Sequence, residues 1–573
     1  MAFIAVVFCP LGFHLMSGLG ATVYLSMHSR LAVLSPRIPL LISVYHKLPL
    51  HHFAVPPWAT RSQHPLMASI PDKESGSLDA PSFQSQDTTS PAAKSSEGQA
   101  PDAAADTQDI GLSPVREVLF IFVICMAQFL SLAGLAQTIA PLGIIGRSFD
   151  VTKEGELSWY PAAFSLTLGT FILPAGRLGD MYGHRNLYMT GFAWYAVWSV
   201  VAGVAVYSGD ILFSVARAFQ GIGCALLVPN ALAIVGRLYG ASPKKNMVFA
   251  LFGAAAPTGW VAGATFSAIF AQLAWWPWAF FTLAIVCVVM IFAALIVIPK
   301  DEPHPVSLSE FDFLGCITGV TGLILFNFAW NQAAVVGWAT VYTYVLLIVG
   351  ILFLAAFVVV EMRYSKNPLV PLSGFKGEAA LALGVIAAGW GSFGIWVYYL
   401  WRLIEVAREY SALASCAQNS PVAISGLLAA VATGFLLSHT KVSYVLLLAT
   451  VFFLVGQILI ATSPVGQTYW AQTFVSIVIM PWGMDMSFPS GTIILSNNTP
   501  RHDQGIASSL INTTVNYSIS LSLGIAGTIV RNVTPADGSD IISGYRGAWY
   551  FAIGLDVIAL LIALYFVVRT RKS

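Results

Sequence analysis

Residues 176–186, GRLGDMYGHRN, set three fixed charges and a histidine within eleven positions of a chain in which 10% of residues are charged. Gly176, Gly179 and Gly183 permit tight turning and close helix approach. Arg177 and Arg185 suit a membrane interface, and Asp180 is an acid among bases. A loop that merely collects basic residues at an interface accounts for the arginines but leaves the acid and the three glycines unexplained. The stretch therefore reads as a charged device between two apolar runs, with Gly176, Asp180, Gly183 and Arg185 as its working residues.

A second set of polar residues lies inside apolar runs. In RAFQGIGCA, Arg217, Gln220 and Cys224 share one helical face at i, i+3 and i+7. An arginine within a span costs about 2.5 to 3.5 kcal/mol on insertion scales, so it is read first as functional and otherwise as a snorkelling or carbonyl-bonded side chain. Asp485, between Pro481 and Pro489, is the acid best placed to bind and release a proton, because a broken helix can open backbone groups to a cavity. A structural aspartate bonded to a neighbouring helix is its alternative. Asp556 in the last run is a weaker candidate, and Glu361 falls at the end of a run.

Arg402 and Glu405 are spaced to pair at i, i+3, with solvated interface charges as the alternative. Gln128, Gln137, Asn230, Asn331, Gln332, Asn512 and Asn516 supply neutral hydrogen bonding, and Trp396, Tyr398, Tyr399 and Trp482 supply aromatic walls. The same residue types also glue helices together and populate interfacial belts. With so few fixed charges, an apolar or weakly polar organic solute is favoured over a multiply charged one. No His, Cys or acid cluster has metal-ligand spacing, so neither a metal nor any other cofactor is expected.

Elements to position these residues are plentiful. The chain of 573 residues is 57% hydrophobic with a mean hydropathy of +0.75, more than a soluble core requires, so it reads as a polytopic protein embedded in a lipid bilayer. A spanning helix takes about 20 apolar residues, and fourteen such runs follow Glu117, near 118–141, 157–176, 187–207, 211–233, 247–270, 275–298, 313–334, 340–361, 378–400, 411–437, 442–462, 469–494, 505–530 and 547–568. Lys and Arg alternate between the connections, fourteen on one side against six on the other. By the positive-inside rule this places residues 176–186 and both termini in the cytoplasm. A net charge of +1, with the bases scattered singly, gives no nucleic-acid partner. Six cysteines without a CxxC pair read as packing residues.

Six segments result. Residues 1–66 form a doubtful extension, with translation read as starting at Met67, and 67–112 form a disordered tail rich in Ser, Ala, Pro and Asp. An N-terminal six-helix bundle covers 113–298, two linker helices 312–361, a C-terminal six-helix bundle 378–568 and a basic tail 569–573. The sequon at Asn532 falls in an external loop and is the expected glycosylation position, whereas that at Asn497 falls inside and stays bare.

Gly176, Leu178, Asp180, Gly183, His184 and Arg185 match the pattern G-x-L-x-D-x-x-G-R/H-R/K, and on these residues the chain resembles the major facilitator superfamily. The resemblance implies an all-α membrane fold of two six-helix bundles. It also implies that Asp180 locks an inner gate by contacting the positive N-terminal end of the thirteenth span, near Gly505. RAFQGIGCA fits the family's R-x-x-Q-G-x-G. GAAAPTGWVAG, with Gly253, Pro257, Gly259 and Gly263, resembles its export-associated helix-packing motif, although Ala256 and Ala262 replace two glycines. Fourteen spans, with SPVAISGLLAA and MPWGMDMSFPSGTIILSN, resemble the fungal drug:proton antiporter branch of aminotriazole-resistance and boron-efflux type.

Two departures matter. In Leu135-Ala136-Gln137-Thr138, alanine replaces the first-span acid usual in that branch, so proton coupling through that position is absent. The second half's counterpart loop, GFLLSHTKVSY, keeps Gly434, His439 and Lys441 but has no acid.

The function expected is therefore not enzymatic. It is proton-coupled efflux of small organic compounds by a monomer in the cell membrane, or alternatively the vacuolar membrane. Arg217, Gln220, Gln137, Asn230, Asp485, Asn512 and Asn516 are its proton and substrate pathway. The transport alternative is an importer or facilitator of ammonium, borate or a metabolite, and the non-transport alternative is a nutrient receptor on a transporter fold.

Overall fold

A computed structural model describes residues 113–239, 243–300, 311–365, 367–370, 377–498, 504–535 and 539–572. The segments 1–66 and 67–112 lie outside the described residues. The described chain holds fourteen helices of nineteen residues or more. These are α1 Pro114–Ile139, α2 Trp159–Tyr182, α3 His184–Val204, α4 Asp210–Tyr239, α5 Pro243–Leu273, α6 Pro277–Val297, α7 Phe313–Val336, α8 Val341–Arg363, α9 Glu378–Arg402, α10 Pro421–His439, α11 Val442–Ala461, α12 Gln472–Asn497, α13 Gln504–Val533 and α14 Ile541–Lys572.

Eleven of the fourteen are long and apolar enough to cross a membrane. The other three, α2, α12 and α13, are as long but more polar, and they carry the charged turn, Asp485 and the Asn512/Asn516 pair. Polarity is tolerated where a helix faces protein or a cavity rather than lipid.

Helices α1–α6 pack among themselves, with α3 against α4 and α6, α2 against α4, and α1 against α5. Helices α9–α14 do the same, with α9 against α13 and α14, and α11 against α12 and α14. Two seams join these halves, α2 on α13 and α5 on α10. The inserted pair is α7 packed on α8, and α7 also lies along α13. Small residues make these contacts possible. The Tyr517 and Asn516 backbone meets Gly169 of α2, and Asn331 of α7 meets Gly524 of α13, so closely that a Cβ at either glycine would fall 2.7–2.8 Å from a backbone nitrogen.

The two halves repeat a detail. At the start of α3, Arg185 Nη2 donates to Leu295 O in the last turn of α6 (2.9 Å), and at the start of α11, Lys441 Nζ donates to Thr570 O in the last turn of α14 (3.3 Å).

Several boundaries depart from expectation. The expected basic tail at 569–573 is helical through Lys572, as a continuation of α14. The tenth run is split, with Ala412–Asn419 as a separate short helix before Pro421 opens α10. The expected break between Pro481 and Pro489 does not occur, because α12 is continuous through both prolines. Pro481 and Pro489 both lack an N–H, so the carbonyls four residues back, those of Ile477 and Asp485, lose their helical donors.

Candidate transport pathway and gates

Helices α2 and α3 are separated by one residue, Gly183, at φ 88°, a backbone state that side chains rarely adopt. This reversal aims Asp180, on the last turn of α2, and His184, the first residue of α3, at each other. His184 Nε2 lies 3.3 Å from Asp180 Oδ1, and Arg237 Nη2 of α4 reaches the same oxygen at 3.3 Å. Burial alone would raise the Asp180 carboxyl. The hydrogen bond and charge of His184, then the charges of Arg237 and Arg177, outweigh it and hold Asp180 below the ordinary carboxylate range.

The other ring nitrogen, His184 Nδ1, lies 2.7 Å from Asn230 Oδ1. Asn230, expected on the substrate pathway, is instead fixed at this turn by its bonds to His184 and to Leu226 O.

Asp180, His184 and Arg237 border a cavity of about 450 Å³. Gly176, Arg177 and Asp180 of α2, Pro229 and Arg237 of α4, and Ile506 and Ser509 of α13 all line it, so both halves contribute. Leu369 closes one side. It belongs to the segment after α8, which folds back because Glu361 Oε1 and Oε2 accept from the backbone N–H groups of Leu369 (3.2 Å) and Val370 (3.3 Å). Arg177 Nη2 donates to Pro368 O of that segment at 3.3 Å.

The opposite end is closed by a contact that the sequence did not suggest. Glu154, in the short helix Glu154–Leu157 before α2, receives Arg402 Nε at 3.0 Å and Nη2 at 2.5 Å. Tyr398 and Tyr545 also donate to it, at 3.3 and 3.1 Å. The Arg402 and Glu154 side chains are 7% and 12% exposed, and they join the two halves. Arg402 therefore pairs with Glu154 rather than with Glu405. At the end of α9 the chain enters a π-type turn, Leu403–Ala407, which changes the register that an i, i+3 pair requires.

The intramembrane candidates separate into enclosed and accessible groups. Arg217 is fully buried, donating to Tyr160 O (3.2 Å), Gly134 O (2.7 Å) and Gln220 Oε1 (2.7 Å) while stacking on Phe164. Gln220 passes the chain on to Ser199 Oγ at 2.7 Å. This is the carbonyl-bonded arrangement, and it faces packed helices rather than the cavity. Gln137 is buried with its Oε1 unpartnered.

Asn512 and Asn516 are half-buried, each bonding a carbonyl of its own helix four residues back. Asn331 is buried against Asn327 and Ser520 O, binding α7 to α13, and Gln332 donates to Tyr342 OH between α7 and α8. Trp396 and Trp482 donate to Ser476 and Ser425 within the second half. Asp556 accepts from Ser392 at 2.8 Å, fully buried between α9 and α14.

Asp485 is placed differently. A Cβ at Gly426 of α10 would fall 3.2 Å from Asp485 Oδ2 and 3.3 Å from Pro257 Cβ of α5, so the acid stands at the seam between the halves. Among the described residues its carboxylate has no hydrogen bond or ion pair. Pro257 thus faces α10, while Gly259 and Gly263 face α1 at Phe129 O and Ala133 O; Gly253 meets nothing within 4 Å, so it does not serve the close packing expected of it. Asn532 is exposed on the last turn of α13.

Long apolar helices in two similarly packed halves, joined by an ion pair at one end and bordering a cavity at the other, make a multi-pass membrane protein. The sequence model of the Major Facilitator Superfamily matches residues 119–441, and the chain belongs to that family. It is 55% identical over 78% of its length to the low affinity ammonium transporter of Saccharomyces cerevisiae, covering 88% of that protein. It is 43% identical to efflux pump terJ of Aspergillus terreus (80% of this chain, 89% of that one) and 38% identical to the aminotriazole resistance protein of S. cerevisiae (79% and 84%).

Proposed function

We propose that this chain is a proton-linked exporter of small apolar or weakly polar organic compounds, opening alternately at its two ends. The observation that carries this reading is the cavity of about 450 Å³ shared by both halves at the 176–186 end, opposite the Glu154–Arg402 clasp. That volume falls within the range of small-molecule sites, and its similarity to efflux pump terJ and to the aminotriazole resistance protein accords with export. Asp485 is the proposed proton carrier: it stands at a seam that must shift during rocking and has no fixed partner. The bases around the cavity orient that end toward the cytoplasm. The chain works as a monomer in the cell membrane, and Asn532 is its proposed glycosylation position.

A second reading, uptake of ammonium, is favoured by the 55% identity to the ammonium transporter. Cells lacking the protein and cells overexpressing it are loaded with a chemical panel and, separately, with labelled methylammonium. Export predicts higher retention of an organic compound without the protein and lower retention with excess. Enhanced methylammonium entry with no change in organic retention would establish the second reading instead. In proteoliposomes an imposed pH difference drives transport by the native protein, and Asp485→Asn abolishes that response. An intact response in Asp485→Asn would remove the acid from the mechanism.

A further inference from the structure

His184 holds a position where the motif admits arginine or histidine, and its surroundings fix how its protons are used. The Asn230 amide nitrogen donates to Leu226 O at 2.7 Å and lies 3.4 Å from Ala175 O, which leaves Oδ1 as the acceptor facing the ring. His184 Nδ1 must therefore carry a hydrogen to make its 2.7 Å bond. Nε2 then faces Asp180 Oδ1 at 3.3 Å. In the neutral ring Nε2 is a lone pair opposed to a carboxylate; in the imidazolium it is an N–H that the carboxylate accepts.

The arrangement is built for this ring. His184 is 3% exposed, and a Cβ at Gly179 would overlap both Asn230 Oδ1 and His184 Nδ1. The other charged groups facing the pair are Arg177 from α2 and Arg237 from α4, both permanent cations. Arg185, next in the chain, is turned to Leu295 O on α6. Across the cavity, Ile506 and Ser509 of α13 and Leu369 of the linker carry no charge. In the second half the counterpart, His439, is exposed and bonds Phe435 O of its own helix, with no acid paired to it among the described residues.

We propose that His184 is the proton-operated positioning residue of this gate. Charged, it adds to the hold of Arg237 on Asp180 and keeps the cavity open; neutral, it sets a lone pair against Asp180, weakens that hold and tips the acid toward the start of α13, where the cavity closes. Asp180, held below the ordinary carboxylate range, stays ionised throughout, so the proton is exchanged elsewhere in the pair. The inference rests on reading residues 176–186 as a gate but on no substrate and no proton gradient.

The test is therefore accessibility, measured on full-length protein in detergent with Ser509→Cys in a background stripped of its native cysteines. Labelling by an impermeant maleimide, normalised to denatured protein at each pH, is expected to be at least about fivefold faster near pH 6 than near pH 8. His184→Arg should label fast at both values and His184→Gln slowly at both. The proposal is overturned if native His184 gives a pH-independent ratio, or if His184→Gln keeps the pH response. Because neither substrate nor gradient enters the assay, failure of the export reading would leave this result standing, and the converse.

Discussion

At the scale of single residues, the same side chain can advertise function in the sequence and serve packing in the fold. Arg217 illustrates this: an intramembrane arginine is suspicious by cost alone, and the i, i+3 spacing to Gln220 was readable. The sequence could not show which way that face turns. In the structure the guanidinium joins α4 to carbonyls of α1 and α2, so truncation would strand Tyr160 O, Gly134 O and Gln220 together. Leaving a buried acceptor unsatisfied costs about 1–3 kcal/mol. Arg217→Ala is thus expected to lower the yield of folded protein and the melting temperature in detergent, while protein that does fold keeps its substrate KM. Normal melting with a raised KM would return Arg217 to the transport path. His184 is the reverse case: it entered the sequence reading only as a motif match, and its bond to Asn230, 46 positions away, is a tertiary fact.

Between helices, the consequence of a glycine depends on what lies opposite it. The motif GAAAPTGWVAG supplies three glycines on α5, but only Gly259 and Gly263 meet the backbone of α1, at Phe129 and Ala133, while Gly253 meets open space. Gly263→Val must push α1 from α5 and should destabilise by about 1–3 kcal/mol, the usual cost of overpacking. Gly253→Ala adds a methyl where nothing obstructs it and gains up to about 1 kcal/mol of helix propensity. Paired thermal melts of the two variants check the contrast, and equal melting temperatures would contradict this packing.

The inserted pair follows the same logic. Tyr517 donates to Leu323 O, Ser520 to Asn327, and Arg531 to Val335 O, so α7 is fastened along α13. A disulfide between Gly527→Cys and Ala334→Cys, positions whose Cβ atoms would lie 2.8 Å apart and need a shift of about 1 Å to reach disulfide spacing, should form and spare transport, because both helices then belong to one moving body. Arrest of transport by that link, reversed by reductant, would show that α7 and α13 must slide past each other.

For the molecule as a whole, the fourteen helices and their two-halved order were legible, because apolar length and the alternation of basic connections are one-dimensional signals. The charged turn was legible too, since its residues are contiguous. The opposite clasp was not, because Glu154 and Arg402 are 248 positions apart and a loop acid beside Lys153 and Glu156 looks like solvated charge. Yet this pair joins the two halves at the end opposite the cavity. With both charges largely enclosed and two tyrosines on the same carboxylate, the clasped end is held shut while the cavity opens at the other. Glu154→Gln keeps the shape but removes the charge, leaving Arg402 without its counter-ion, a loss of about 3–5 kcal/mol to this state and not necessarily to its alternative. The equilibrium should therefore move toward opening at the Glu154 end. Faster labelling of a cysteine placed at Gly143, which lies beside the guanidinium of Arg402, together with slower labelling at Ser509, is the expected signature. Reversing the pair with Glu154→Arg and Arg402→Glu should restore both rates at least in part, because the attraction depends on opposite signs rather than on which half carries which. If Glu154→Gln changes labelling at neither end, the clasp contributes to folding but not to the balance between states.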